Sequence, residues 1–283
     1  MLSAEFPIRT ISVMGCGWYG LPLAIRLVRA GFQVKGSTTS KDKLKKIQHF
    51  GIEEYLIDFT PNLVSEKPVS GFFDADVLVL NIPPGIRTGS PASKYLLMID
   101  NLLPHILASS IRFVIFVSAT SVFANLNKIV KEGDAGEGEL QENGKALLIA
   151  ESKFINRSEF STTILRFGGL YGPHRHPVKY FSGRSDIPDP EVPTNLVHLE
   201  DCIRITERVI RKKAIGEIFN VVCDEHPTRK LYYTETARIL GYNKPLFLPS
   251  DEERPWKIVC NKHVKEKLEY QFKYKSPFEG LQN

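Results

Sequence analysis

The sequence predicts an α/β fold with a doubly wound parallel sheet and a small C-terminal lobe. Three observations lead to this fold class. A strand, a glycine-rich turn and a helix open the chain, further strands alternate with helical segments, and those strands are apolar at nearly every position. Strands of this composition are buried on both faces, as in parallel sheets covered by helices. A chain of 283 residues is long enough for such a domain and a smaller lobe.

The first predicted unit is a short apolar strand at Ile11 and Val13, a glycine turn, and a helix that stops at Gly31. In a Gly-x-Gly-x-x-Gly turn, the first glycine permits the tight bend and the second lets a pyrophosphate approach the backbone. The third lets the helix pack on the strand, so that the phosphates meet N–H groups at the helix N-terminus. We therefore predict that the turn binds a dinucleotide through six residues: Gly15, Cys16, Gly17, Trp18, Tyr19 and Gly20.

The second predicted strand, Phe32 to Gly36, leads into hydroxyl and basic residues. A ribose with a free 2′-hydroxyl is usually held by an acid about 20 positions after the glycines, whereas a 2′-phosphate needs hydroxyls and cations. No carboxylate occurs between Ile11 and Lys41, which favours NADP as the cofactor and leaves NAD as the alternative. We assign four residues to the 2′-phosphate: Ser37, Thr38, Thr39 and Lys41. In a purely structural interpretation, Thr39 or Ser40 caps the next helix, Lys43 to Phe50.

The next strands bring further candidates to the sheet edge where open α/β folds bind ligands. A third strand, Glu54 to Asp58, ends in Asp58, which we expect to face the adenine. The strand within Asp76–Gly85 leads into a proline-stiffened loop that should line the cofactor groove with four residues: Asn81, Ile82, Pro83 and Pro84. After a helix at about Ser93 to Ser109, a fifth strand, Phe113 to Ser118, puts Ser118 beside the nicotinamide.

The second half of the chain begins with an acidic, glycine-rich segment, Lys131 to Gly144, that we expect to be a mobile loop. The later predicted elements follow in order: a helix at Lys145–Glu159, a strand at Thr162–Phe167, an exit turn at Gly168–Pro173, a return to the sheet at Val197, a helix at Asp201–Arg211 and a last strand at Ile218–Val222. We assign 1–170 to a nucleotide-binding domain to which 195–222 return, and 171–194 and 223–283 to a smaller substrate-binding lobe.

Composition argues against several classes of protein. The net charge of +5, from 37 Lys and Arg against 32 Asp and Glu, is small for a nucleic-acid-binding surface, and the basic stretch from Arg254 to Lys275 is typical of a solvated helix face. No apolar run approaches the length of a membrane span and no leader is evident, so we expect a cytoplasmic protein.

The cysteines and acids do not predict a metal site. The 4 cysteines are far apart, which suits neither a zinc site nor a disulfide framework, and we expect buried thiols. The acids of the segment Lys131 to Gly144 match no ion-binding pattern. The expected partner is a small-molecule substrate, and a homodimer stays open.

Five landmarks occur in order along the chain: Gly15-x-Gly17-x-x-Gly20, Val117–Phe123 (VSATSVF), Leu165–Pro173 (LRFGGLYGP), Asn195–Asp201 (NLVHLED) and Phe219–Val222 (FNVV). With them the chain resembles the extended short-chain dehydrogenase/reductases, in particular the NAD-dependent epimerase/dehydratase branch. The resemblance covers about Ile11 to Val222. It implies a Rossmann-type nucleotide-binding domain and a small C-terminal lobe that closes over a substrate, often a nucleotide sugar.

The residues that similar enzymes use for catalysis are not found at the matching positions. Such enzymes move a hydride with a Ser or Thr and a Tyr-x-x-x-Lys pair, whose spacing puts the phenol and the amine on one helical face. Glu151 matches an acid common in the family's helix, and counting back from it puts the Tyr position at Asn143 and the Lys position at Leu147. Counting back from Val122 puts the hydroxyl position at Ala119.

A small error in this count does not restore the pair. No tyrosine occurs between Phe123 and Phe160. Lys145 does not replace the missing lysine, because two residues of helix turn a side chain to nearly the opposite face. We therefore expect an atypical member that keeps the cofactor fold without the usual acid and base.

Two hypotheses remain open, and in the first the protein is an enzyme. It would be an oxidoreductase or epimerase-like enzyme acting on a nucleotide-linked or anionic small molecule, with other proton donors. The catalytic candidates are Ser118, Thr120, Tyr171 and His174. Cations can hold a phosphate or carboxylate, and the substrate-binding candidates are Arg175, His176, Lys179 and Asn195. The structural alternative is that the two histidines only lie in a proline-flanked loop.

In the second hypothesis the protein binds NADP without turning it over, as a sensor or a scaffold. The missing tyrosine favours this hypothesis, whereas the elaborate C-terminal lobe argues against it. Asn195 and His198 do not discriminate, because Asn195 can hold backbone groups and His198 can be a satisfied interior histidine.

Overall fold

A computed structural model describes residues 6–59, 63–85, 89–155, 157–249 and 254–282. Its internal contacts divide the chain into two compact units. Unit 1 consists of Met1–Ser118, Gln141–Leu165 and Thr206–Ile218. Unit 2 consists of Ala119–Leu140, Arg166–Ile205 and Phe219–Asn283. The division into domains made from the sequence stays a prediction.

Strands and helices alternate through the first half of the chain, as the sequence predicts. The elements are β1 (Thr10–Met14), α1 (Gly20–Arg29), β2 (Gln33–Thr38), α2 (Leu44–His49), β3 (Glu53–Asp58), β4 (Val64–Ser65), α3 (Val69–Phe73), β5 (Val77–Leu80), α4 (Ala92–Leu107) and β6 (Phe113–Ala119). A 3₁₀ turn, Lys41–Lys43, precedes α2, and another, Thr120–Val122, follows β6.

The second half of the chain has longer connections and shorter strands. Its elements are β7 (Lys128–Val130), α5 (Glu142–Ile155), β8 (Ser161–Phe167), β9 (Gly169–Tyr171), β10 (Leu196–His198), α6 (Leu199–Lys212), β11 (Ile218–Val221), α7 (Arg229–Leu240), β12 (Lys257–Val259) and α8 (Lys262–Leu268). Two 3₁₀ turns lie at Glu132–Asp134 and Pro177–Tyr180.

The predicted sheet is confirmed. Within the described residues, eight strands form one sheet in the order β11-β8-β6-β5-β1-β2-β3-β4. The pairs β1–β2, β1–β5, β2–β3 and β5–β6 are parallel, and the two-residue strand β4 runs antiparallel to β3. All four residues of β5 are buried, and α1 buries Leu23, Ala24 and Leu27 on one face. This is the arrangement of strands covered on both faces that the apolar runs predict.

Two predictions for the second half need correction, and one sheet was not predicted. The segment after β8 is more than an exit turn, because Gly169–Tyr171 pairs in parallel with Leu196–His198. Val197 therefore lies in this separate two-stranded sheet and does not return to the main one. A third sheet, which the sequence does not predict, joins β12 to β7 in parallel.

The acidic segment after Lys131, expected to be a mobile loop, begins with the 3₁₀ turn Glu132–Asp134, which hydrogen bonds connect to other parts of the chain. The Asp134 carboxylate accepts the backbone N–H of Lys131 at 2.6 Å and the amine of Lys128 at 3.2 Å. Glu132 accepts the backbone N–H of Asn220 at 3.1 Å. Helix α5 begins at Glu142, three residues before the predicted start, and so takes up the end of this segment.

Unit 2 contains a buried carboxylate, that of Asp201 near the start of α6. Its side chain is 0% exposed, and it accepts the Tyr270 hydroxyl at 2.5 Å and the backbone N–H groups of Lys273 at 2.8 Å and Tyr274 at 3.1 Å. Burial raises the pKa of Asp201, and the three hydrogen bonds act in the opposite direction. One side chain thus attaches the residues 270–274 to α6.

Replacing Asp201 by Asn should destabilise the protein by about 2–4 kcal/mol, because an amide has one acceptor oxygen and its NH2 group would face the backbone N–H of either Tyr274 or Lys273. Urea unfolding followed by circular dichroism measures this cost. The matched control is Glu266→Gln in α8, whose ion pair with Lys262 is largely exposed and should change stability by less than about 0.5 kcal/mol. Equal stabilities of the two variants would contradict this account of Asp201.

Candidate functional site

The glycine turn of unit 1 leaves no room for a side chain at two of its three glycines. Gly15 has φ +95°, and a Cβ on it would lie 2.3 Å from the carbonyl oxygen of Asn81. A Cβ on Gly20 would lie 2.1 Å from the carbonyl oxygen of Gly15. By contrast, a Cβ on Gly17 would meet nothing within 4 Å. The turn is therefore packed tightly against β5 and α1, and is open at Gly17.

The N-terminus of α1 has the features of an anion-binding site. The residue before the helix, Tyr19, makes no side-chain capping hydrogen bond, and the first turn contains no acid. The first N–H groups of a helix lack intrahelical acceptors and carry a partial positive charge. The opening at Gly17 and this uncapped terminus together fit the pyrophosphate that the glycine spacing predicts.

The side chains of two predicted cofactor residues in the turn point into the core of unit 1. Cys16 is buried, and burial raises the pKa of its thiol to about 12. Tyr19 is 3% exposed, and its hydroxyl lies 2.7 Å from that of Thr206. These residues can offer only backbone groups to a cofactor. Trp18 is partly exposed.

Two of the hydroxyls expected at a 2′-phosphate have structural partners. Ser37 is buried, and its Oγ accepts the Gly15 N–H at 3.1 Å. Thr38 is also buried, and its Oγ1 accepts the Ser40 N–H at 3.2 Å. Strand β2 reaches Thr38, beyond its predicted end at Gly36. The alternative interpretation, a cap by Thr39 or Ser40, is not seen either. Ser40 makes no side-chain capping bond to the 3₁₀ turn, and α2 begins after Lys43 without a side-chain cap.

Thr39 and Lys41 remain at the surface of unit 1. Thr39 is exposed. The side chain of Lys41 is 73% exposed, and its amine pairs with Glu66 at 2.5 Å. This ion pair raises the pKa of Lys41. An exposed pair of this kind is weak, so a phosphate can compete with Glu66 for the amine.

The other predicted cofactor residues lie where their strands end. Asp58 is the last residue of β3 and is half-buried. The Asn81 amide donates to the carbonyl of Gly15 at 3.2 Å, so this side chain supports the turn. In the loop that follows, Pro83 is exposed, whereas Ile82 and Pro84 are partly buried. The Ser118 Oγ is buried without a hydrogen-bond partner among the described residues, as expected for a group whose partner belongs to a ligand.

Helix α5 agrees with the prediction that Lys145 does not belong to the face of Leu147. Leu147 and Glu151 are buried, whereas Lys145 is exposed. None of the 10 tyrosines in the sequence is followed four positions later by a lysine.

Two candidates in unit 2 have structural roles. Tyr171 is 0% exposed, its hydroxyl donates to the carbonyl of Ser276 at 3.2 Å, and burial strongly raises its pKa. A phenol in this position is a poor proton donor. The Asn195 side chain is also engaged, because its amide donates to the carbonyl of Lys257 at 3.0 Å and its oxygen accepts the Val259 N–H at 2.8 Å. Asn195 therefore holds β12 instead of facing a substrate.

The remaining candidates of unit 2 lie at or near a cleft of about 480 Å³. The cleft is lined by Pro173, His174, His176, Lys179, Tyr242, Leu281 and Gln282. His174 has φ +62°, a conformation that costs a non-glycine residue energy and often marks functional sites. The Nδ1 of His176 is buried without a partner in the described part of the chain, and burial lowers the pKa of this ring. Arg175 is exposed, and Thr120 is buried in the turn after β6.

His198 fits the interpretation as an interior histidine. Its Nδ1 accepts the Glu200 N–H at 3.1 Å, and its ring lies 3.9 Å from that of Tyr274, centroid to centroid. Burial lowers the pKa of His198 to about 4, so the ring is neutral at physiological pH.

Sequence reasoning missed Lys257. It lies in β12, inside the basic stretch that the sequence assigned to a solvated helix face, and its amine is partly buried. Strand β12 is three residues long, so no periodicity signals it.

The described residues contain neither a metal site nor a spanning helix. No three His, Cys, Asp or Glu side chains converge there as metal ligands would. No helix in these ranges has the length and apolar character needed to cross a bilayer. Cys16, Cys202 and Cys223 are buried free thiols, as expected, and Cys260 is partly buried.

Comparison with known proteins identifies similar chains. No family model matches the sequence. Protein YeeZ of Escherichia coli strain K12 is 34% identical over 271 residues, which are 95% of this chain and 98% of that protein.

Solved structures share the fold at lower identity. UDP-glucuronic acid 4-epimerase from Bacillus cereus, in complex with UDP-glucuronic acid and NAD, is 21% identical with a TM-score of 0.77, and the match covers 96% of each chain. UDP-glucose 4-epimerase from Thermotoga maritima, with UDP-glucose, is 19% identical with a TM-score of 0.75 over 96% of each chain. A functionally unknown conserved protein from Silicibacter pomeroyi is 22% identical with a TM-score of 0.76 over 97% of each chain.

Two glycine variants separate packing from cofactor binding. Gly17→Ala should leave stability within about 0.5 kcal/mol of the wild type but weaken binding of NAD and NADP about tenfold or more, because the methyl group enters the opening expected for the pyrophosphate. Gly20→Ala should cost more than about 2 kcal/mol, since its Cβ meets backbone. Thermal unfolding and calorimetric titration measure both effects. Wild-type affinity in Gly17→Ala would contradict a phosphate site at this turn.

Proposed function

The chain belongs to the NAD-dependent epimerase/dehydratase family of extended short-chain dehydrogenase/reductases, and we propose that it is an NAD(P)-dependent oxidoreductase or epimerase of a nucleotide-linked or other anionic small molecule. The observation that carries this proposal is the open, uncapped and acid-free glycine turn at the start of α1. When bound, the nicotinamide takes up or returns a hydride. The protein supplies the binding, orientation and proton transfer.

The cofactor contacts proposed in unit 1 follow from where each group lies in the fold. The backbone of the turn and of the first helical residues would hold the pyrophosphate, with Gly17 giving the closest approach. Asp58 would face the adenine at the end of β3. Pro83 and Ser118 would flank the nicotinamide, where the unpartnered Ser118 hydroxyl would gain a hydrogen bond.

We propose NADP as the preferred cofactor, with NAD as a second one. NAD is the cofactor found with a solved epimerase of the same fold. The preference for NADP rests on the end of β2, where Thr39 and Lys41 are exposed and the sequence has no acid between Ile11 and Lys41 to hold a free 2′-hydroxyl. Ser37 and Thr38 would contribute little, because their hydroxyls serve the backbone.

The substrate's acidic group is proposed to bind in the unit 2 cleft. Lys179 is exposed there and brings a positive charge, and Arg175 next to the cleft adds a bidentate donor. Burial lowers the pKa of His176 and so favours its neutral form. A bound anion would raise this pKa again, and the Nδ1 atom, which has no partner among the described residues, could then donate a hydrogen bond to the anion. UDP-glucuronic acid, bound by a solved structure of this fold, contains a carboxylate of the kind that suits such a cleft.

Proton transfer would then fall to groups other than a Tyr-x-x-x-Lys pair. Ser118, Thr120 and His174 remain candidates, whereas the burial of Tyr171 removes it from the proposal. A cofactor-binding sensor or scaffold is the second candidate function, favoured by the lack of a tyrosine in the sequence of α5. The cytoplasmic location and the homodimer stay predictions.

Lys41→Ala should weaken NADP binding about tenfold and leave NAD binding unchanged, because only NADP carries the 2′-phosphate. Glu66→Gln should have the opposite effect on NADP, since it releases the Lys41 amine from its ion pair. Calorimetric titration of each variant with both cofactors measures the preference. Lys43→Ala, an exposed lysine in the same 3₁₀ turn, is the control and should bind like the wild type. Equal wild-type affinities for NADP and NAD would contradict the proposed preference.

Lys179→Ala should weaken the binding of UDP-glucuronic acid to the NAD-loaded protein by about tenfold, because one charge-assisted contact is lost. Lys262→Ala, in an exposed ion pair on α8, is the control. Incubation with NAD or NADP and UDP-sugars, followed by analysis of product stereochemistry, distinguishes the two functions. Turnover that Ser118→Ala abolishes, with cofactor binding retained, supports the enzyme. Cofactor binding without conversion of any UDP-sugar would favour the sensor.

A further inference from the structure

We propose that the amine of Lys257 binds a phosphate group of a nucleoside diphosphate, at an anion-binding point of unit 2 separate in sequence from the His174–Lys179 segment. The inference rests on the proposed function, because a nucleotide-linked substrate supplies such a group. Three features of the structure carry it: the fixing of the backbone around Lys257, the environment of its amine, and the engagement of the neighbouring carboxylates.

The backbone on both sides of Lys257 is fixed by hydrogen bonds to asparagines. Asn127 and Trp256 bond reciprocally, since the Asn127 N–H donates to the Trp256 carbonyl at 2.8 Å and the Trp256 N–H donates to the Asn127 side-chain oxygen at 2.8 Å. Asn195 holds the carbonyl of Lys257 at 3.0 Å and the N–H of Val259 at 2.8 Å. A lysine in a flexible surface loop has no need of such backbone hydrogen bonds. For a ligand-binding lysine, a fixed backbone reduces the entropy that is lost when the ligand binds.

The Lys257 amine lies in a partly buried site without a described acidic partner. It donates one hydrogen bond to the backbone carbonyl of Phe123, which ends the 3₁₀ turn after β6. An ammonium has three donors, so two are left unused by the part of the chain that the structure describes. Burial lowers the pKa of Lys257 to about 8, because the charged form is partly desolvated and a neutral carbonyl does not compensate it. A phosphate would compensate this charge.

Three carboxylates on the β7 side of this strand pair, all within the described ranges, already have other partners. Lys128 is the register partner of Lys257 across the β7–β12 pair, and its amine bonds to Asp134 at 3.2 Å and Glu137 at 3.0 Å. Glu132 accepts the Asn220 N–H.

The other charged or titratable neighbours are also accounted for. Arg166 lies over the Phe123 ring at 5.3 Å and donates to the Glu132 carbonyl at 2.8 Å. Cys260 ends the strand, and its N–H donates to the Val130 carbonyl at 2.9 Å. Lys257 is thus a cation whose counter-charge the described residues do not supply, next to the segment that follows the carboxyl end of β6. Ligands of open α/β sheets bind beyond the carboxyl ends of strands.

The test is the pH dependence of binding of UDP, UDP-glucose and inorganic pyrophosphate to the NAD-loaded protein, measured by calorimetry from pH 7 to pH 9. The ammonium form binds the phosphate, so affinity should be highest below pH 8 and fall up to about tenfold by pH 9, as the amine loses its proton. The slope is taken from UDP-glucose, whose two phosphates are both esterified and have no proton that titrates in this range, whereas the terminal phosphates of UDP and pyrophosphate titrate near or within it. Binding of UDP and UDP-glucose but not pyrophosphate would assign the site to the nucleotide.

Three variants complete the test. Lys257→Met should weaken UDP binding about tenfold at pH 7 and abolish the pH dependence. Lys257→Arg should keep its charge and retain binding at pH 9. Lys128→Met, the register partner, should keep the wild-type pH dependence. Circular dichroism and NAD affinity establish that each variant is folded.

The outcomes separate this inference from the proposed function. Wild-type UDP affinity in Lys257→Met, or a flat pH profile in the wild-type protein, would overturn the inference while NAD binding leaves the cofactor proposal intact. Binding of NAD without UDP or UDP-glucose at any pH would likewise overturn it. Failure of the wild-type protein to bind either NADP or NAD would instead overturn the proposed function.

Discussion

The close approach of three backbone segments at the glycine turn is the constraint on which the cofactor side of unit 1 depends. Gly15, Gly20 and Asn81 meet so closely that no Cβ fits at either glycine. The turn is also bonded to both neighbouring strands, through the hydroxyl of Ser37 on β2 and the amide of Asn81 after β5. The anion-binding geometry at α1 is therefore a consequence of how three adjacent strands end. Polar residues that would otherwise suggest cofactor contacts are needed to maintain it.

The main sheet could be predicted from the sequence because its strands carry their own signal. Apart from β4 they have ordinary length, β5 and β6 are apolar at nearly every position, and α1 shows helical spacing after a diagnostic turn. The short strands β4, β9, β10 and β12 have two or three residues each, which is too few for any periodicity. Strands β9, β10 and β12 form because a distant segment supplies the partner: the Trp256–Asn127 bond next to β12 spans 129 residues.

The sequence could predict those parts of the candidate site whose function depends on backbone geometry. It could not predict those whose function depends on which partner a side chain contacts. The spacing of three glycines predicts an anion site whatever the neighbours are, and the structure has the matching opening at Gly17. A hydroxyl or amide in sequence does not reveal its partner, and Ser37, Tyr171 and Asn195 all proved to serve other parts of the protein. Lys257 shows the reverse error: a charge counted as solvated lies in a strand and is partly buried.

The buried Asp201 carboxylate has a consequence for the order of biosynthesis. Its phenol donor, Tyr270, lies 69 residues further along the chain, so a ribosome completes α6 well before any acceptable partner for this charge exists. Until residues 270–274 emerge, the carboxylate must stay hydrated, and the start of α6 cannot settle into its final environment. Unit 2 would therefore complete its folding only late in translation. The first six strands of the main sheet, by contrast, have all been synthesised once the chain reaches Ala119.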